Sequence, residues 1–319
     1  MRRPAARPIV AVLAGLSVLL TACGQAGESP RGSAEDGIVD VVASTSVYGD
    51  IVSSIGGDKV RVNSIITRTS QDPHSYEATT QDKLAVSKAE LVVENGGGYD
   101  GFIHKLADDT GLDHGNVLNA VELSGLVPAE EAGASHDAEE HGHAHEGLNE
   151  HVWYSLPAME RLADAVAAKL GELEPSSAET FRSNAAEFKD SLGVLDTRLA
   201  DIKASAGAAP VAVTEPVPLY LLEAAGLENQ TPAEYTAAIE EDADVSPAVL
   251  KATTDLMASG SVRLLAYNQQ TEGPQTVAVR EAANAAGVPV VNFSETLPDA
   301  KSYVQWMTDN VDNIAKALA

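Results

Sequence analysis

One long amphipathic pattern limits how this chain can fold. From about Ser176 to Ala206, apolar residues recur at alternating steps of four and three, which places them on one stripe of a helix. These residues are Phe181, Ala185, Phe188, Leu192, Leu195, Leu199 and Ile202. Ser176 and Glu179 have the spacing of a capping box, and Gly207 ends the pattern. The helix would be roughly 45 Å long. The pattern fits both a rigid strut between two lobes and a long core helix.

The sequence on both sides of this helix alternates between strand and helix signals. Strand-like runs cover 38–43, 60–66 and 91–93 in the first flank, and 211–214, 262–267 and 288–291 in the second. Helical patterns cover 47–55, 80–89 and a segment from 157 to about 170, then 216–225, a segment from 247, 275–286 and 299–319. Such alternation predicts parallel sheets covered by helices. We therefore predict an α/β fold in which two lobes, each with a parallel sheet flanked by helices, are joined by one long rigid interlobe helix.

The N-terminus has the features of an export signal. Three arginines precede an apolar run from Ile9 to Leu20, which is too short to stay in a membrane as a spanning helix. The run ends in Leu-Thr-Ala-Cys23-Gly, which resembles the lipobox of bacterial lipoproteins, where cleavage leaves the cysteine as the lipid-bearing N-terminus. Cys23 is the only cysteine, so neither an internal disulfide nor a cysteine metal site can form. We expect an extracytoplasmic protein, lipid-anchored to the cell membrane.

These features give an expected organisation along the chain. It comprises a signal peptide at 1–22, a flexible tether at 23–37, an N-terminal lobe at 38–175, the interlobe helix at 176–206 and a C-terminal lobe at 207–319. The formal net charge of −26 argues against nucleic acid as a partner. It is compatible with attracting cations, and equally with plain solubility outside the cell.

Two histidines and two glutamates stand where a parallel fold places ligands, beyond the carboxyl ends of strands. His74 follows a predicted strand and a proline, and His151 opens an ordered segment. Glu215 and Glu295 follow strands of the second flank. Two imidazoles and two carboxylates form a mixed nitrogen and oxygen site for a divalent transition metal. From the residues alone this is one of several sets, since His74 could be a surface histidine and Glu215 a helix N-terminal acid.

Residues 128–148 interrupt the apolar patterning. This stretch is rich in acidic residues and holds four of the eight histidines of the chain, His136, His141, His143 and His145. It is typical of a mobile loop that binds borderline metals weakly, and also of an acidic linker whose histidines are incidental. His104 and His114 carry no motif, and we expect them to be surface histidines or histidines satisfied within the fold.

Four segments, in this order along the chain, resemble the motifs of the metal-binding solute-binding proteins of zinc and manganese ABC transporters, the adhesin-B-like lipoproteins. They are Asp-Pro-His74-Ser-Tyr-Glu, Asn-Glu-His151-Val-Trp, Val-Thr-Glu215 and Ser-Glu295-Thr-Leu-Pro. The resemblance covers nearly all of the mature chain and implies the metal ligands His74, His151, Glu215 and Glu295. The sequence departs from the family at Glu150, where proline is usual, and at Glu295, where aspartate is usual. Manganese members commonly carry glutamate at the position of Glu215, whereas the His-rich loop is typical of zinc members. We expect Zn²⁺, with Mn²⁺ as the alternative, because zinc binds such sites more tightly.

The resemblance implies capture of the metal outside the membrane and its delivery to the permease and ATPase complex of an ABC transporter. We expect a monomer. We also expect no enzymatic activity, because four protein ligands leave little room for an activated water. Glu77 is the expected partner that orients an imidazole, and protonation of the histidines should weaken binding in acid. The alternatives are a metal-dependent surface adhesin with a role in cell adhesion, and a secreted metallohydrolase.

Overall fold

The computed structural model of the chain describes residues 37–127 and 148–319. The predicted signal peptide, Cys23 and almost all of the tether lie outside the described residues. So do the four histidines of the acidic stretch, His136, His141, His143 and His145. Within the two described ranges, none of the helices combines the length and the apolar character that a membrane crossing requires.

The first sheet is parallel, and its two central strands are buried. Its strands pair in the order β2-β1-β3-β4 and have the following bounds: β1 Val39–Thr45, β2 Val60–Ile66, β3 Leu91–Glu94 and β4 Val117–Asn119. The central strands β1 and β3 read as apolar runs because helices cover both faces of the sheet, whereas the edge strand β2 alternates in exposure. The flanking helices are α1 Ser46–Gly56, α2 Thr80–Lys88, α3 Gly101–Thr110, α4 Ala120–Ser124 and α5 Leu156–Leu173.

The second sheet repeats this architecture, with all strands parallel in the order β6-β5-β7-β8. Its strands are β5 Pro210–Val213, β6 Glu228–Asn229, β7 Leu265–Asn268 and β8 Val290–Phe293. The helices of this half are α7 Leu219–Ala224, α8 Ala233–Glu240, α9 Pro247–Ala258, α10 Pro274–Ala286 and α11 Tyr303–Leu318. The prediction of two parallel sheets flanked by helices is confirmed.

The long helix α6 spans Ala178–Ala206, and its seven buried residues are the seven predicted from the apolar pattern. The predicted capping box is wrong. Ser177 is the N-cap and makes no side-chain cap hydrogen bond, because Pro175 begins a 3-10 turn that moves the start of the helix. Ser176 instead donates its hydroxyl to Glu174, and Glu179 accepts a hydrogen bond from Arg182.

Helix α6 contacts helices of both halves, α1 and α5 on one side and α7 and α11 on the other. A single hydrophobic cluster includes its apolar stripe together with strand residues from both sheets, such as Val93 and Val211. The helix therefore joins the two lobes and is also a core helix, so both interpretations of its pattern apply. The exact lobe limits, 38–175 and 207–319, stay a prediction.

The helix α6 offers a matched pair of adjacent positions for a stability test. Leu195 is 2% exposed within the stripe, whereas the neighbouring Val194 is 60% exposed. We expect Leu195→Ala to lower the free energy of unfolding by about 2–5 kcal/mol, because it removes buried apolar volume and leaves a cavity. Val194→Ala should change it by less than about 0.5 kcal/mol. Chemical denaturation of both variants measures the difference, and equal losses would contradict the observed burial.

Candidate metal centre

The four predicted site residues all lie beyond the carboxyl ends of strands or in segments packed there. His74 lies in the connection between β2 and α2, and His151 immediately precedes a 3-10 turn, Val152–Tyr154, that leads into α5. Glu215 and Glu295 each stand two residues beyond a strand of the second sheet, β5 and β8. The alternative reading of Glu215 as a helix N-terminal acid is wrong, because α7 begins only at Leu219.

Three of these side chains converge. His74, His151 and Glu295 each offer a ligand atom that lies within 4.8 Å of those offered by the other two. Glu215 falls outside this group but adjoins it, because the side-chain amide of Asn268 donates to carboxylate oxygens of both Glu215 and Glu295. The structure thus brings three of the four predicted residues together and places the fourth beside them.

His151 is held in one orientation by Asn149. The Asn149 side-chain oxygen lies 2.7 Å from Nδ1 of His151 and also accepts the backbone N–H of that residue at 3.1 Å. Since this oxygen can only accept, Nδ1 carries the proton and Nε2 carries the lone pair that a cation requires. Burial, with a smaller effect from His74, lowers the pKa of His151 to about 3. Burial therefore disfavours protonation of His151 in mild acid.

His74 is the exposed member of the group. Asp72 accepts the backbone N–H of His74 at 3.0 Å, which fixes the loop in an Asx turn as Pro73 fixes the preceding backbone. The Nε2 atom of His74 lies 3.7 Å from a carboxylate oxygen of Glu150.

Tyr99 contacts three of the four predicted residues. Its ring meets that of His74 edge-on at 4.9 Å between centroids and that of His151 at 5.8 Å, and its hydroxyl donates to Glu295 at 3.2 Å. The chain reaches this position through three glycines with positive φ, Gly96 to Gly98, and a Cβ at Gly96 would overlap the side chain of Asn119.

Hydrogen bonds from residues 268–271 hold the side chain of Glu215 and both the backbone and the side chain of Glu295. Thr271 donates to Glu215 at 2.7 Å, and the side-chain oxygen of Gln270 accepts the backbone N–H of Glu295 at 2.7 Å. Asn268, the last residue of β7, bridges the two carboxylates through its amide. Both carboxylates are therefore oriented by the same short stretch, residues 268–271.

Glu150 and Glu240 bring two further carboxyl groups to the site. With His151 they form a second group whose ligand atoms lie within 4.8 Å of one another. A carboxylate oxygen of Glu240 lies 3.9 Å from Nδ1 of His151, and it is buried without a hydrogen-bond partner among the described residues. Because His151 is neutral, this contact is not an ion pair.

The clustered carboxyl groups hold their protons more tightly than free ones. Burial raises the pKa of Glu215 to about 7. Burial, followed by the charge of Glu150 and the other acids, raises that of Glu240 to about 8. Burial also raises the pKa values of Glu295 and Glu150. Such groups are costly to ionise without a compensating positive charge, and a bound divalent cation would supply it.

The sequence predicted that Glu77 orients an imidazole, but the structure shows no such bond among the described residues. Its side chain is exposed, and within the described parts of the chain no hydrogen bond or ion pair links it to His74 or His151. Asn149 makes the orienting contact to His151 instead. The sequence offers a local reason, because Asn149 stands two residues before His151 and can form an Asx turn.

Sequence reasoning also missed Tyr99, Asn268 and Glu240. The first two could have been found, because Asn268 ends a buried strand and Tyr99 follows the glycine turn after another, so the rule that selected Glu215 applies to them. Glu240 is the last residue of α8 and is distant in sequence from any strand end. Only the tertiary packing brings it to the site.

Known proteins share the sequence pattern and the fold of this chain. The chain matches the family described as zinc-uptake complex component A, periplasmic (ZnuA) over residues 41–317. It is 29% identical over 179 residues to the manganese-binding lipoprotein MntA of Bacillus subtilis, covering 56% of this chain and about half, 53%, of that protein. It is 25% identical over 317 residues to the manganese ABC transporter substrate-binding lipoprotein PsaA of Streptococcus mitis, covering 95% and 96% of the two chains. The periplasmic zinc-binding protein TroA of Treponema pallidum has the same fold, with a TM-score of 0.68, 22% identity and coverage of 89% and 100%.

The raised carboxyl pKa values predict that the metal-free chain loses stability as the pH rises from about 6.5 to 8. In this range the unfolded chain has ionised carboxylates, whereas the folded chain still holds protons on Glu215 and Glu240, with pKa values of about 7 and about 8. His151 opposes this trend in part, because an unfolded histidine is about half protonated at pH 6.5 and neutral by pH 8, whereas burial keeps folded His151 neutral throughout. The two carboxyl groups outweigh this single histidine.

Thermal unfolding at pH 6.5 and pH 8 measures this trend, and added zinc should raise the Tm more at the higher pH. His104, whose pKa its bond to Glu94 raises to about 9, acts in the same direction. The variant Glu215→Gln therefore isolates the contribution of Glu215 to the pH dependence of the Tm, and its Tm should depend less on pH than that of the parent chain. An unchanged slope in this variant would contradict the assignment.

Proposed function

Because the chain belongs to the ZnuA family of periplasmic zinc-uptake components, we propose that it is the extracytoplasmic solute-binding protein of an ABC transporter for a divalent transition metal. The metal is the cargo of the protein. The observation that carries the proposal is the convergence of His74, His151 and Glu295, with Glu215 beside them, at the carboxyl ends of strands from both sheets. Imidazole nitrogen and carboxylate oxygen suit zinc and manganese.

Each proposed ligand has a separate task. His151 supplies Nε2, since Asn149 binds the other ring nitrogen. Glu215 and Glu295 supply negative charge, and Asn268 keeps their oxygens close together. His74, on the exposed loop, is the ligand through which the cation enters and leaves. Glu150 and Glu240 add negative charge around the bound ion.

Zinc is proposed as the more tightly held cation and manganese as the alternative. The order of divalent affinities at nitrogen and oxygen sites favours zinc over manganese. The donor set, rich in carboxylates, also accommodates manganese, and two similar proteins, MntA and PsaA, carry manganese in their names. The description of the family names zinc.

The protein is proposed to act as a lipid-anchored monomer, held at the membrane through Cys23, that delivers its cargo to the permease and ATPase of the transporter. Direct hydrogen bonds cross between the halves. Tyr154 donates to the Ser294 carbonyl at 2.7 Å, and the amide of Asn149 donates to the Pro216 carbonyl at 2.9 Å. Wide opening would break these bonds, so release requires local movement of the exposed His74 loop.

The ligand assignment predicts that His151→Ala lowers zinc affinity by more than about tenfold. Loss of an outer partner of a metal ligand typically costs about 10–100-fold, and loss of the ligand itself should cost more. Competition with a fluorescent zinc chelator, using the mature chain, measures the change. Glu77→Gln is the control, because this exposed carboxylate contacts neither imidazole, and it should bind zinc as the parent does.

A double variant makes this test decisive. If the double variant, which carries both His74→Ala and His151→Ala, bound the first zinc equivalent as tightly as the parent chain, the assigned site would be wrong. If the site were right but the function were adhesion, the variants would lose zinc while metal-limited growth stayed normal. Growth of a strain that carries the double variant in metal-depleted medium separates these outcomes.

The metal preference is tested separately by direct competition. In the presence of equal concentrations of both ions, we expect the mature chain to retain zinc, because the order of affinities favours it. Glu215→His should increase this preference, since it replaces an oxygen donor by a nitrogen donor. Measurement of bound metal after dialysis gives the ratio. Retention of manganese by the parent chain would contradict the proposed preference.

A further inference from the structure

A second cluster of metal-binding side chains lies on the first lobe. His104, Asp108 and His114 each offer a ligand atom within 4.8 Å of those of the other two. None of the three belongs to either group at the cargo site. We propose that these residues form a second site for a borderline divalent cation such as zinc, independent of the cargo site.

The backbone explains how residues from two elements meet. His104 and Asp108 are four residues apart on α3 and therefore share one face of that helix. The helix ends at Thr110 and is followed by Gly111, whose φ of +61° lies in the left-handed region that favours glycine. The chain reverses there, and His114 opens the 3-10 turn His114–Asn116, where its Nε2 lies 3.3 Å from a carboxylate oxygen of Asp108.

A buried carboxylate orients one of the imidazoles. Glu94, the last residue of β3, has a side chain that is only 3% exposed, and its Oε1 lies 3.2 Å from Nδ1 of His104. Asn119 donates its amide to the same oxygen at 2.9 Å. With Nδ1 bound to a carboxylate, the neutral imidazole carries its lone pair on Nε2. Carboxylate, histidine and metal in this order are the usual arrangement around a metal-ligating histidine.

The other oxygen of Glu94 gives an independent indication that the site takes a cation. This Oε2 atom is buried without a hydrogen-bond partner among the described residues. A buried ionised carboxylate that is only partly hydrogen-bonded is costly, and positive charge nearby offsets that cost. A cation bound to Nε2 of His104 would place positive charge on the side of the imidazole opposite Glu94. The same carboxylate can also be stabilised by proton uptake on His104, so the two states must be distinguished by experiment.

The chemistry of the cluster defines what it would bind. Two imidazoles and one carboxylate are donors that suit zinc and similar ions better than calcium or magnesium. The side chains of His104, Asp108 and His114 are 42%, 52% and 67% exposed. Because the cluster is open to solvent, the ion would keep water ligands and exchange readily. This site should therefore fill after the buried cargo site.

The experiment follows the imidazoles directly. The mature chain is labelled with ¹⁵N-histidine, and the four histidines of the acidic stretch are replaced by alanine to remove their contribution. The first zinc equivalent fills the cargo site, and the second should shift the imidazole signals of His104 and His114 together. These signals are assigned with His104→Ala and His114→Ala.

Two adjacent acids on α3 provide the matched control. Asp108→Asn should weaken the second zinc equivalent by at least about tenfold, because it removes a ligand. Asp109→Asn removes the same charge from the next residue, whose carboxylate binds Lys83 at 2.9 Å, and should leave that affinity within about twofold of the parent. Glu94→Gln should also weaken binding, because it removes the negative charge that supports the Nδ1–H of His104 while keeping an acceptor oxygen.

Two results would overturn the proposal. One is an absence of change at both imidazoles in excess zinc, which would leave His104 as a proton-carrying partner of Glu94. The other is an equal loss in the Asp108 and Asp109 variants, which would indicate general attraction of cations to an acidic surface. Affinity for the first equivalent, measured in the same titration, reports on the cargo site separately, so failure of one site does not imply failure of the other.

Discussion

The constraint on which this structure depends is the burial of several carboxylates in one place. Glu215 and Glu295 are each at most 5% exposed and share one amide donor, and Glu240 has an oxygen with no partner among the described residues. Burial raises the pKa of all three groups, so the folded chain is under a penalty when they ionise. A divalent cation relieves that penalty. The affinity for metal and the electrostatic cost of the metal-free fold are thus two consequences of the same arrangement.

The rest of the scaffold holds these groups in place. One core cluster runs from the first sheet through α6 to the second sheet, and hydrogen bonds such as that from Tyr303 to the Trp153 carbonyl, at 2.6 Å, tie α11 to the segment after His151. A continuous core and direct bonds between the halves restrict hinge motion. The loop around His74 is exposed, and we propose that the cargo exchanges there. The cluster at His104 lies outside this arrangement and shares with it only the use of a buried carboxylate to orient an imidazole.

The candidate site was partly readable from the sequence. The motifs and the positions of strand ends predicted His74, His151, Glu215 and Glu295 as ligands, and the structure brings His74, His151 and Glu295 together. The cap at Ser176 was misplaced because Pro175 starts a 3-10 turn, which spacing alone does not reveal. Glu77 was the expected orienting partner, whereas in the structure Asn149 bonds to His151 and the Tyr99 ring meets both imidazoles.

The sequence by itself determined the two parallel sheets, the apolar stripe of α6 and the residue types that can bind a cation. These follow from periodicity and donor chemistry, which act over a few residues and do not require knowledge of the whole fold. Only the tertiary structure decided which carboxylates face one another, which ring nitrogen of His151 carries the proton, and that Glu94 and His104 meet. Burial and hydrogen bonding between segments far apart in the chain set these features, because desolvation depends on everything that packs around a group.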